Sequence, residues 1–169
     1  MEKKLINRVA NSSLKTINLE KLYPVDQLIE LDIKPYLFKE IILKEQDFRD
    51  QLKDTDWSIY EDKMVTIYCS SDAIIPLWAY MLIGSYLQPF TNQIYYGDVT
   101  SALTQIYAQR IEEFDVSPYQ DLPVVIKGCS KYPVPASAYM AMTVKLRPVA
   151  KSILFGEPCS TVPIYKKPR

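Results

Sequence analysis

Residues 64 to 98 and residues 123 to 157 read as one segment written twice, and any fold for this chain must accommodate both copies. The first is MVTIYCSSDAIIPLWAYMLIGSYLQPFTNQIYYGD; the second is PVVIKGCSKYPVPASAYMAMTVKLRPVAKSILFGE. A fixed offset of 59 carries Pro76 onto Pro135, Ala79 onto Ala138, Tyr80 onto Tyr139, Met81 onto Met140 and Leu87 onto Leu146. It also carries Pro89 onto Pro148, Ile94 onto Ile153, Gly97 onto Gly156 and the acid Asp98 onto the acid Glu157. Cys69-Ser70 meets Cys129-Ser130 only after a one-residue slip, which a loop tolerates best.

Each copy opens on a β-branched apolar run, VTIY or VVIK, of the kind a buried strand needs. Cys-Ser follows, then Pro76 or Pro135, whose fixed φ and missing N–H suit a first helical turn. A helix of about twelve residues, closed by Pro89 or Pro148, leads to a second apolar run, QIYYG or SILFG. Strand, loop, helix, strand, taken twice, predicts an α/β fold with a mostly parallel or mixed sheet and flanking helices. Between the copies, Thr100 to Phe114 carries Leu103, Ile106, Tyr107, Ile111 and Phe114 at helical spacing, with Thr100 or Ser101 as cap.

At 169 residues the chain is expected to form a single domain, with residues 1–60 as an N-terminal extension packing on the core. Within that extension LIELDI (28–33) alternates like a half-buried strand, and LFKEIIL (37–43) suits a strand or short helix. KEQDFRDQLK (44–53) sets Phe48 and Leu52 on one face of a surface helix. Residues 54 to 62 read as a polar connection pinned by Trp57 and Tyr60, and the terminal YKKPR as a solvated tail.

Twenty basic and twenty acidic residues cancel, leaving no electrostatic footprint for nucleic acid or an anionic membrane surface. The longest apolar stretch, Ala73 to Gly84, contains Pro76 and falls short of the roughly 20 residues that cross a bilayer. MEKKLINRVANSS lacks the apolar core of a signal peptide, so a cytoplasmic location is expected. With no histidine, Ser-His and Cys-His nucleophile pairs and imidazole ligands are excluded.

Three cysteines remain, Cys69, Cys129 and Cys159, each followed by serine: Ser70, Ser130 and Ser160. If the strands of each copy are parallel, the strand ends before the helices share the carboxyl edge where open α/β sheets bind ligands. Thiols near helix N-termini, with Lys127 and Lys131 beside the second, favour the thiolate. Three thiolates suit zinc, with a fourth ligand from Asp72, Asp98 or Glu157, or an iron–sulfur cluster. Against this, no CxxC is present, and small cysteines commonly fill space at strand ends.

Two further readings compete: a thiol protein that carries or exchanges sulfur, and a non-catalytic homodimeric interaction module joined through the apolar helices of residues 76–88 and 135–147. Ser130 has no SxxK partner and reads as turn chemistry; Tyr80 and Tyr139, at equivalent helix positions, read as core.

NRVANS (7–12), DWSIYEDK (56–63), KGCSKYPVPASAY (127–139) and FGEPCSTVPIYKK (155–167) resemble the bacterial family catalogued as domain of unknown function 2480, over nearly the whole chain. The resemblance implies no defined activity; it implies iron–sulfur assembly factors as partners, which favours the cluster and sulfur-handling readings.

Overall fold

The buried strand that opens each of the two similar segments has a neighbour on both sides, and one of the two comes from the N-terminal sixty residues. The computed structural model describes residues 13–25, 27–128, 131–157 and 160–168. Strand β1 (Lys15–Asn18) pairs parallel with β5 (Pro123–Lys127), and β2 (Leu28–Asp32) pairs parallel with β3 (Met64–Tyr68). Residues 1–60 therefore do more than pack on a core: they supply one strand to each of two sheets.

The chain divides into two compact units rather than building one sheet. Pro24–Gln105 form the first unit. Its sheet has the order β2-β3-β4, all parallel, with β4 at Ile94–Tyr96. Helix α1 (Glu45–Asp54) buries Phe48 and Leu52, and α2 (Leu77–Leu87) buries Ala79, Ile83 and Leu87 at helical spacing. Trp57 and Tyr60 are buried as the sequence suggests, and the Trp57 indole Nε1–H donates to the Leu52 carbonyl at 2.8 Å.

The described residues before Pro24 and after Gln105 form the second unit, and the chain passes from one unit to the other within α3 (Val99–Glu113). Its sheet has the order β1-β5-β6-β7. Strands β1, β5 and β6 (Ser152–Glu157) run parallel; β7 (Ser160–Lys166) turns back antiparallel along β6. Helix α4 (Ala136–Leu146) buries Ala138, Met142 and Leu146, each 59 positions beyond its counterpart in α2.

Smaller devices recur at the same offset. Pro76 and Pro135 hold nearly identical extended dihedrals, as N-caps rather than residues of the first turn. Asp56 accepts the Ser58 amide and hydroxyl, and Asp115 those of Ser117. Asp62 and Asp121 both adopt positive φ, as do Gly97 and Gly156. The Tyr80 and Tyr96 rings meet edge-on at 5.2 Å, and those of Tyr139 and Phe155 at 5.6 Å.

Three local expectations change. LFKEIIL forms neither strand nor helix but a tight turn: Phe38 and Ile42 bridge antiparallel, with Lys39 and Glu40 at positive φ and Glu40 tied to Lys34 at 3.0 Å. The cap of α3 is Asp98, whose carboxylate accepts the Ser101 amide at 2.8 Å, in place of Thr100 or Ser101. The expected tail is an ordered edge: Tyr165 and Lys166 belong to β7, and the Lys167 amide donates to the Lys151 carbonyl.

Candidate apolar docking site and the cysteine residues

Of the three cysteines, Cys69 lies among the described residues, while Cys129, Ser130 and Cys159 lie outside them, so the convergence of three thiols at one rim is not among the described features. Cys69 follows β3, half-buried and unpaired, with its Sγ 3.3 Å from the Ser71 hydroxyl. Its neighbour Ser70 is held by Asp32 at the end of β2, which accepts the Ser70 amide at 3.0 Å and its hydroxyl at 2.6 Å. Burial pushes the Asp32 carboxyl up, but the hydrogen bonds from Ser70 and the Lys34 amide outweigh it and hold the group below the ordinary carboxylate range.

The proposed acidic ligands have other employment or none. Asp98 caps α3, and the Ser101 amide draws its pKa down. Glu157 pairs with Lys127 at 2.9 Å. Asp72 is exposed, on a hollow lined by Ile41, Ile42 and Ile74. Among the described residues, no group of three Cys, Asp or Glu is placed to hold a metal ion.

Tyr80 and Tyr139, expected in the core, are half-buried, and Tyr139 lines a cavity beside α4; a Cβ built on Gly128 would overlap its hydroxyl. Tyr107 is fully buried, and its hydroxyl has no hydrogen-bond partner among the described residues; burial, with Tyr139, Glu20 and Tyr23 nearby, pushes its pKa up to about 12. Sequence periodicity placed Tyr107 in a helix but gave no sign of this orphaned hydroxyl.

The feature that stands out lies on the other face of α4. A helix of a water-exposed domain normally keeps one stripe polar. Here Ala136, Met140 and Val144, four apart on the exposed face beside Ser137, are apolar, and Met140 and Val144 are 70% and 73% exposed. Met140 and Val144, with Leu154 and Phe155 of β6 and Ile164 of β7, line an open cavity of about 390 Å³ that no charged side chain enters. Phe155, Val162 and Ile164 extend the exposed apolar surface across the sheet. The apolar helix face was legible in the sequence; the wall made by β7 was not.

Among the described residues, no helix is long and apolar enough to cross a membrane. The class defined by these features is an α/β protein with one parallel sheet, one mixed sheet and flanking helices. A family model described as "Protein of unknown function (DUF2480)" matches residues 3–167, and the chain belongs to that family. No curated protein and no solved structure matches it.

Proposed function

We propose that this chain is a non-catalytic association module whose working surface is the groove between α4 and the β6–β7 ribbon. The observation that carries the reading is a helix apolar on both sides: Ala138, Met142 and Leu146 fill the core while Met140 and Val144 face outward over a 390 Å³ hollow. Contiguous exposed apolar surface of this kind marks an interaction site, and removing it from water is favourable at about 25 cal/mol per Å². Catalysis finds less support, since histidine is absent and the cavity is lined by aliphatic and aromatic side chains with only the Tyr139 and Thr143 hydroxyls. The Thr143 hydroxyl is already used, donating to the Tyr139 carbonyl at 2.8 Å.

A fluorescent probe of apolar surface tests this directly. At concentrations low enough to keep the chain monomeric, dye bound by the folded chain should be lost in Val144→Asp and retained in Leu77→Asp, which places the same charge on the exposed face of α2. Equal dye binding by the chain and by Val144→Asp would overturn the reading.

A thiol-exchange role stands second, supported by one observation. Cys69 sits partly accessible at the carboxyl end of β3, within electrostatic reach of Lys34, which Glu40 first and then Asp32 and Cys69 hold above its ordinary range. Zinc or iron–sulfur ligation, with iron–sulfur assembly factors as partners, would also need Cys129 and Cys159. Zinc or iron bound stoichiometrically after anaerobic purification, and lost in Cys69→Ser, would favour ligation over association; metal-free protein with an inert Cys69 would remove both thiol readings.

A further inference from the structure

Resting on the association reading, we propose that the occupant of the groove is the same groove of a second copy, the two chains meeting face to face across α4 in a two-fold homodimer.

Electrostatics narrows the partner first. No charged side chain lines the cavity, so a basic or acidic partner seated in it would lose hydration there without gaining an ion pair. A second copy carries no such burden: its matching face is equally uncharged, and twenty basic against twenty acidic residues leave no net repulsion between copies.

Shape narrows it further. An isologous interface requires one patch to present both a ridge and a hollow, so that each copy fills the other. Met140 and Val144 form the ridge, and Leu154, Phe155 and Ile164 border the hollow beside it. Area points the same way. Five large apolar side chains, Met140, Val144, Phe155, Val162 and Ile164, are each between 45% and 73% exposed. Together they offer on the order of 500 Å² of apolar surface. A homodimer interface of about 800 Å² per partner, about 65% apolar, requires roughly that amount from each copy.

Edge-to-edge pairing is the obvious alternative for a chain ending in an exposed strand, and β7 is built against it. Pro163 removes a backbone donor in mid-strand, and the register between β6 and β7 shifts at Ile153/Leu154. The contact is therefore made by the face of the sheet and α4.

Sedimentation equilibrium of the full chain, with circular dichroism to confirm folding, tests the proposal. The expected result is a reversible dimer that Val144→Asp converts to monomer. Val144→Ala, a milder change, should raise the dimer dissociation constant about tenfold, within the effect of a truncated interface contact. Met81→Asp, at the equivalent position of α2, should leave the dimer intact. A dimer broken by Met81→Asp and untouched by Val144→Asp would overturn the proposal. A monomeric chain whose groove still binds the apolar probe, with binding lost in Val144→Asp, would overturn the second copy as occupant while the association reading survives. A monomer that binds no probe would remove both.

Discussion

The Pro24–Gln105 unit and the unit formed by the flanking residues use the same local devices and finish their sheets differently. In each, a proline caps a helix that buries an Ala and a Leu, an aspartate accepts the amide and hydroxyl of the serine two residues on, and a glycine takes positive φ, Gly97 just after β4 and Gly156 within β6. The first unit's sheet stops at β4, whereas β6 continues through Gly156 and returns as β7. Met81 and Met140, at equivalent helix positions, are both exposed, yet Ile164 of β7 joins the lining of a hollow beside Met140. One added antiparallel strand thus turns an exposed helix face into one wall of a cavity.

The strongest test of the shared architecture is the buried stripe. Leu87→Ala and Leu146→Ala each remove a fully buried side chain, and each should cost about 2–5 kcal/mol in chemical denaturation. If one cost less than about 1 kcal/mol, the two helices would not be equivalent in packing.

Next in size comes the end of β6, where Gly156 pairs with Thr161 of β7. A Cβ on Gly156 would lie 2.7 Å from the Ser160 carbonyl oxygen, a backbone atom, whereas on Gly97 it would meet the Ser101 side chain. Both glycines have positive φ, so both alanine variants are strained, but Gly156→Ala should be the worse. Melting curves should show Gly156→Ala destabilised by about 1–3 kcal/mol and more than Gly97→Ala. The reverse order would mean that the pairing of Gly156 with β7 yields more readily than the 2.7 Å approach indicates.

A smaller difference separates the ends of β2 and β1. Asp32 and Asn18 occupy the last register positions of their strands, and each accepts an amide two residues on, Lys34 at 2.9 Å and Glu20 at 3.0 Å. Only Asp32 titrates. Its folded pKa is depressed, so its contribution is present above the unfolded value of about 3.9 and is lost as pH falls through the folded value. Asp32→Asn should therefore flatten part of the stability loss below about pH 4, while Asn18→Ala should lower stability with no pH dependence of its own. An unchanged acid limb in Asp32→Asn would show that the Ser70 contacts do not favour the ionised form.

How much of this could be read beforehand depended on the length and purity of each signal. The helices Leu77–Leu87 and Ala136–Leu146 and the strands before them were legible because apolar residues recur with helical or strand spacing between prolines. The four residues of β1 are too few to show a period. In β7, Pro163 argues against a strand, although an edge tolerates it. The spacing Asp-x-Ser-x-Tyr-x-Asp at 56–62 and 115–121 was present in the sequence and marks both places where an aspartate accepts the amide of the serine two residues on. The outward exposure of Met140 and Val144 could not be read, since apolar residues on two faces of one helix give the pattern of a buried one. The cysteine rim required positions for all three thiols, which spacing alone does not supply.

Methyl spectra of the full chain, labelled at methionine and recorded across a wide range of protein concentration, compare the two units in a single experiment. Association through the α4 face requires the Met140 signal to shift or broaden as concentration rises while the Met81 signal stays fixed. Both signals unmoved, or Met81 moving in place of Met140, would contradict it.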